Sequence, residues 1–277
     1  MGPQPDFRTI FWGVRGSVSV AGPDTVRYGG NTPCVEVRCG NRLLILDAGT
    51  GLRPLGQSLM GQAALDVDIY LTHAHIDHVS GLPFFAPFFV PQNRFRLWAG
   101  NLLPEHRLHD VVRTLMQAPL FPIPPDIFQA EMTYLDFVCG DTLRPHPDIL
   151  VKTAALDHPN RAVGYRIEYQ GKSVAYVTDT CHKPGEPNRE VLALMGGADI
   201  VIYDALFTDA EWPPYASWGH STWEEGVRLA RIAGCKRLVL FHHDPARTDR
   251  ALDAIARQAA AALPGTVVAS EGLVLAP

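Results

Sequence analysis

Residues 72 to 78 read Thr72-His73-Ala74-His75-Ile76-Asp77-His78, three imidazoles and a carboxylate within seven positions. The run before them, Val67, Ile69 and Leu71, alternates apolar with other residues and reads as a half-buried strand. Ser80-Gly81-Leu82-Pro83 breaks the pattern after them. In extended chain the side-chain period of two turns His73 and His75 the same way. One turn later Asp77 and His78 swing back toward the same point. Imidazole nitrogens and carboxylate oxygens are the donors that zinc, iron or manganese accept. Solvated loop histidines and a capping aspartate would explain one such residue but not four at this spacing. A single ion could not comfortably use adjacent Asp77 and His78 together with both upstream histidines, so the stretch points to more than one metal.

Outward from this motif, strands end in polar residues. Residues 8–14, 34–38 and 43–46 read as strands, the last two joined by a tight turn at Gly40-Asn41. Asp47-Ala48-Gly49-Thr50-Gly51 follows, then a helix with Leu52, Leu55 and Leu59 on one face. Residues 150–154 lead into Leu156-Asp157-His158-Pro159-Asn160. A hairpin over 164–170 and 173–178 turns at Gln170-Gly171 and ends in Thr178-Asp179-Thr180, and a buried strand over 200–203 ends at Asp204. Ser221-Thr222-Trp223-Glu224 reads as a capping box opening a helix with Trp223, Val227 and Ala230 on one face and Gly234 as its stop. A strand over 237–241 runs into His242-His243-Asp244-Pro245, and a helix over about 248–263 and a strand near 272–276 close the chain. Both halves place strands first and helices later with no linker, which reads as one domain over 1–277, two sheets sandwiched by helices.

Between the halves, residues 82–135 read as an aromatic, proline-rich insertion: Leu82-Pro83-Phe84-Phe85-Ala86-Pro87-Phe88-Phe89-Val90-Pro91 and then Leu120-Phe121-Pro122-Ile123-Pro124-Pro125. Prolines at this density exclude long regular elements, apart from a helix expected over 102–116. The segment serves either as an irregular cover for the core or as an apolar wall or homodimer patch beside the site. His106 and His109 sit on that helix at i, i+3 as surface residues.

Hydrophobic residues make up 47% of the chain, ample for a sizeable core. The net charge of −5 supplies no basic stripe, which argues against DNA duplex binding while leaving room for a small phosphate-bearing substrate. Five scattered cysteines without CxxC spacing fit free thiols in a reducing cytosol. The opening MGPQPDFRTI lacks a signal-peptide pattern and no apolar run reaches ~18 residues, so a cytoplasmic location away from membranes is expected.

The HxHxDH stretch, followed in order by His158, Asp179 and His242, resembles the metallo-β-lactamase superfamily, and the resemblance spans nearly the whole chain. It implies an αββα sandwich of two mixed β-sheets flanked by helices. It implies two divalent metal ions, zinc in the first instance with manganese or iron as other occupants. His73, His75 and His158 would hold one ion, Asp77, His78 and His242 the second, and Asp179 would bridge them. His243 rivals His242, and strand alternation, which sets His242 on the Leu238/Leu240 face, favours His242. Asp47 in its D-x-G setting would lie beneath the metals and organise the loop. Asp179 and His78 stand where the antibiotic-cleaving branch has a cysteine and an arginine, so the chain is closer to the superfamily's binuclear hydrolases.

Gly219-His220-Ser221-Thr222 ahead of a helix resembles the tRNase Z and class II cyclic-nucleotide phosphodiesterase branch, as does His158 with Gly164-Tyr165-Arg166-Ile167. That resemblance gives His220 the role of proton donor or phosphate ligand at the leaving oxygen, and makes His220 and Asp77 the expected catalytic residues. Asp204 would orient His220 or cap a turn. The long arm with which tRNase Z clamps tRNA has no room between His158 and Asp179. The resulting expectation is a phosphodiesterase for a small phosphodiester, cyclic or short nucleotide, attacked by water activated between two metals. The alternatives are a glyoxalase II or lactonase-type (thio)ester hydrolase, a tRNA 3′-processing nuclease lacking the arm, and a binding protein that kept its metals for folding.

Overall fold

The computed structural model describes residues 6–277; Met1–Pro5, part of the stretch inspected for a signal sequence, lie outside it. The elements in chain order are β1 (Phe7–Gly13), β2 (Cys34–Cys39), β3 (Arg42–Leu46), α1 (Leu52–Leu59), β4 (Asp66–Leu71), α2 (Ile76–Val79), β5 (Arg94–Ala99), α3 (Leu108–Leu115) and β6 (Glu131–Asp136). They continue with β7 (Thr142–His146), β8 (Ile149–Leu156), β9 (Ala162–Tyr169), β10 (Lys172–Val177), α4 (Arg189–Met195) and β11 (Ile200–Asp204). Last come α5 (Trp223–Ala233), β12 (Leu238–Phe241), α6 (Asp249–Ala262), β13 (Val267–Val268) and β14 (Val274–Leu275).

Two seven-stranded mixed sheets result, ordered β14-β1-β2-β3-β4-β5-β6 and β13-β12-β11-β10-β9-β8-β7. Period-two side-chain alternation builds the layers. Leu44 and Leu46 face Tyr176, Val239 and Phe241 across the space between the sheets. Leu43 and Ile45, on the opposite face of β3, pack against Leu52 and Leu55 of α1. On the second sheet, Ala175, Leu238 and Leu240 turn outward to Val191, Val227 and Leu252 of α4, α5 and α6. This is the expected αββα sandwich.

Several local expectations change. Segment 82–135 contains two regular strands, β5 and β6, which extend the first sheet in parallel from β4. Their alternating residues lie between proline-rich turns, which masked the period. Phe85 and Phe88 are fully buried in the outer core of that sheet and cover it, while Phe84 stays exposed. The helix expected over 102–116 spans only Leu108–Leu115, leaving His106 in the irregular chain before it. The capping box is displaced by one residue: Thr222 is the N-cap and its hydroxyl accepts from Glu225 N at 3.0 Å. Gly234 ends α5 in the left-handed conformation, φ 62°. Strands β7 and β13 and helix α4 had no counterpart in the sequence reading. The five cysteines are free. Among the described residues no helix is long and apolar enough to cross a membrane.

Candidate metal centre

The first and second sheets present their strand ends to one another at one edge of the sandwich, and the polar motifs meet there. After β4 ends at Leu71, His73 and His75 continue the chain and α2 carries Asp77 and His78. Asp179 follows β10, Asp204 ends β11, and His242 follows β12. Asp47, Asp179 and His242 all adopt left-handed backbone, φ 60°, 59° and 58°. Non-glycine residues hold this conformation at a cost, and such strain concentrates at functional sites. His242 therefore departs from the alternation of β12, and its direction is set by the turn after Phe241, not by the strand period.

One donor atom each from His73, His75 and His158 falls within 4.8 Å of the others, and the same holds for Asp77, His78 and His242. Asp179 stands between the two groups. Its Oδ1 lies 3.9 Å from His73 Nε2 and 3.9 Å from His158 Nε2. Its Oδ2 lies 3.3 Å from His78 Nε2 and 3.4 Å from His242 Nε2. Asp77 Oδ2 is 3.3 Å from His78 Nε2 and 3.5 Å from His242 Nε2. His243 points elsewhere, donating from Nε2 to Ala269 O at 2.9 Å, and burial pushes its imidazole down to about 3.

The Nδ1 atoms of His73, His78 and His158 are tied down, which fixes where each Nε2 lone pair points. His78 Nδ1 donates to Asp47 Oδ2 at 2.8 Å. His73 Nδ1 donates to Thr72 Oγ1 at 3.0 Å, since the Thr72 hydroxyl gives its own proton to Asp47. His158 Nδ1 donates to Gly219 O at 2.8 Å. Asp47 also accepts from Thr72 N at 2.8 Å and Tyr176 OH at 2.9 Å, so it is the buried post on which the first motif stands. Gly219 must lack a side chain: at φ 90°, a Cβ would lie 2.1 Å from His158 Nδ1. Gly16 makes room for His242 in the same way, its Cβ position being 2.5 Å from His242 Nδ1. The loop carrying Gly16 is anchored by fully buried Arg15, whose guanidinium donates to Gly29 O at 2.8 Å and Arg247 O at 2.7 Å.

Among the described residues, His73 Nε2, His78 Nε2 and both ring nitrogens of His242 are buried with no hydrogen-bond partner. Orphaned buried nitrogens are costly, and several aimed at one point with two carboxylates make a donor set that fits divalent metal. For the polypeptide alone, burial lowers the His73, His75 and His158 imidazoles, so they are neutral near pH 7 and offer lone pairs. Burial would lower His78 too, but the charges of Asp179, Asp77 and Asp47 outweigh it and raise it. The Asp77 and Asp179 carboxyls stay well below their ordinary range; burial opposes this, and the charges of His78 and His242 prevail.

His220 completes the ring of imidazoles. Its Nδ1 donates to Asp204 Oδ2 at 3.0 Å and lies 3.8 Å from Asp179 Oδ1. Asp204 also accepts from Asp179 N at 3.0 Å and from Leu206 N at 3.1 Å, so it braces both His220 and the Asp179 turn and is no simple cap. Burial would lower His220, yet Asp204 raises it to about 9. Four contributors escaped the sequence reading. Ser17 N donates to Asp77 Oδ2 at 2.8 Å, the Asn160 amide lies 3.2 Å from His75 Nε2, Gly16 seats His242, and His182 Nδ1 meets Ser221 Oγ at 2.9 Å. The non-glycine φ of 63° at Ser17 is a backbone property with no sequence signal.

The family described as "Beta-lactamase superfamily domain" matches residues 42–243, which include every strand end of the site. The ribonuclease Z of Mycolicibacterium paratuberculosis is 27% identical over 248 residues, covering 81% of this chain and 82% of that one. The metallo-β-lactamase fold protein YhfI of Bacillus subtilis superposes with a TM-score of 0.72 at 19% identity, over 98% of this chain and 99% of that chain. A diphosphatase of the PhnP family gives 0.70 at 21% identity, over 97% and 96%. These structural likenesses concern the fold.

Proposed function

The chain belongs to the metallo-β-lactamase superfamily, and on that footing we propose that this hydrolase is a binuclear phosphodiesterase acting on a small phosphodiester, with cyclic and short nucleotides as the first candidates. His73, His75 and His158 would hold one divalent ion and Asp77, His78 and His242 the other, with Asp179 between the two groups as a shared ligand. Two such ions, zinc in the first instance, polarise phosphoryl oxygens and lower the pKa of water toward ~7 when bound.

The remaining work falls to the chain. Asp77, held by the Ser17 amide, fixes the Asp77/His78/His242 half of the cluster. His220 keeps its Nδ1 proton on Asp204 and presents Nε2 to the departing ester oxygen as general acid. Asp204 locks that tautomer and, through Asp179 N, couples the acid to the Asp179 turn. The observation that carries the reading is the buried His220–Asp204 pair beside the cluster, because a thioester hydrolase, whose thiolate leaves readily, has less use for a leaving-group acid.

A relative named ribonuclease Z supports a second reading, a nuclease acting on RNA. Only the β9–β10 hairpin separates His158 from Asp179, and that leaves no arm to clamp a folded RNA. Steady-state hydrolysis of a nitrophenyl phosphodiester, a thioester, a lactone and a precursor tRNA by zinc- or manganese-loaded protein tests the proposal. Preference for the phosphodiester is the expected result. A preference for thioester or lactone, or cleavage confined to the tRNA, would overturn it.

A further inference from the structure

A cavity of about 1040 Å³ opens directly from His73 and His75, at the upper end of the size range of small-molecule sites. Its apolar wall comes from the segment after the metal motif: Val79, Phe84, Leu115, Leu120 and Phe121. Phe84 and Leu120 are 57% and 84% exposed, much apolar surface to leave in water beside a polar centre. Phe84 and Phe121 meet edge to face, with ring centroids 5.8 Å apart and planes at 73°, so the two rings together offer both a face and an edge. The cation of the lining, Arg161, is 3.3 Å from Glu105 and neutralised by it. A polyphosphate or an extended nucleic-acid backbone would need unpaired cations along such a wall.

We infer that this cavity receives an uncharged planar aromatic arm of the substrate, packed against the face of one and the edge of the other of Phe84 and Phe121, while the phosphoryl group lies at the metal cluster. The assignment rests on the phosphodiesterase reading for the headgroup but not for the arm. Two sources share this chemistry, a nucleobase and a simple aryl ester, and binding separates them.

The test is calorimetric binding of methylphosphonate, benzylphosphonate, octylphosphonate and adenosine 5′-monophosphate to the zinc-loaded protein. The aromatic probes should bind about 10-fold or more tighter than methylphosphonate. Phe84→Leu and Phe121→Leu, which keep apolar bulk but remove a flat face, should each erase most of that gain and leave octylphosphonate unaffected. A gain confined to the nucleotide assigns the arm to a base; an equal gain for benzylphosphonate assigns it to any aryl group. Aromatic probes no tighter than methylphosphonate, octylphosphonate tightest of all, or an unchanged aromatic gain in both variants would overturn the inference. Aromatic preference in binding without turnover of any phosphodiester would remove the proposed reaction and leave the cavity assignment standing.

Discussion

Replacing His220 by alanine should cost activity in proportion to how much the leaving group needs a proton. The ring is 8% exposed and its Nδ1 bond to Asp204, itself fully buried, is 3.0 Å, so solvent screens the pair little. A positioned general acid contributes about 10²–10⁴ in rate, or ~3–5 kcal/mol. That sum is due in full when the departing group is a phenolate, basic near pH ~10. It shrinks below about 10-fold for a nitrophenolate, which leaves without a proton. Asp204→Asn keeps the shape but removes the charge-assisted acceptor, worth ~1.5–3 kcal/mol, and should cost about 10- to 150-fold on the same phenyl ester. The two losses should fall short of adding in the double variant, because the residues act as one unit. The assay is kcat/KM for a series of aryl methyl phosphates, with metal content and melting temperature as controls. Equal losses across all leaving groups would refute the acid role and reduce His220 to a structural residue.

Three further outcomes are expected. Asp47→Ala strands the donors His78 Nδ1, Thr72 N and Tyr176 OH in the core; at ~1–3 kcal/mol each it should lower the melting temperature by about 6 °C or more and cost bound metal, and an unchanged melt would contradict the role of Asp47. Arg15→Met leaves Gly29 O and Arg247 O without their donor and frees the Gly16 loop from His242; a loss of about 2 kcal/mol or more in denaturant unfolding, with reduced metal occupancy, is expected, and full occupancy would contradict it. For Asp199, burial alone would raise the carboxyl, but bonds from Lys236 Nζ and Ser173 N, both at 2.8 Å, lower it. Its stabilising effect is present above the unfolded pKa of ~3.9 and lost as pH falls through the folded value, so Asp199→Asn should lower the melting temperature by a few degrees at pH 7, with the gap closing in acid; a gap that widens in acid would contradict the sign.

Most of the scaffold was legible because its inner strands carry plain signals. β3, β10 and β11 are largely apolar and β4 alternates, and they end in Asp47, Asp179, Asp204 and the HxHxDH motif; a chain that stops several strands in polar residues is building a site at one sheet edge. The outer elements were less legible for physical reasons. β5 alternates charged and apolar residues between proline turns, β7 contains Pro145, and α4 has seven residues, too few to establish a helical period. The direction of His242 was anticipated for the wrong reason: alternation ends at Phe241, and a left-handed residue aims the ring. The contacts of Ser17, Asn160 and Gly16 come from loops whose backbone path no single sequence encodes visibly. Asp204 was read as either orienting His220 or capping a turn, and the fold decides between the two by bonding residues sixteen apart.

The proposed phosphodiesterase needs two divalent ions, held by His73, His75 and His158 and by Asp77, His78 and His242. The most direct measurement is zinc or manganese titration of chelated protein, with bound metal and nitrophenyl phosphodiester turnover read from the same samples. Little turnover with one equivalent bound and full turnover as the second binds is the expected result. A protein with two ions bound and no phosphodiester turnover would contradict it.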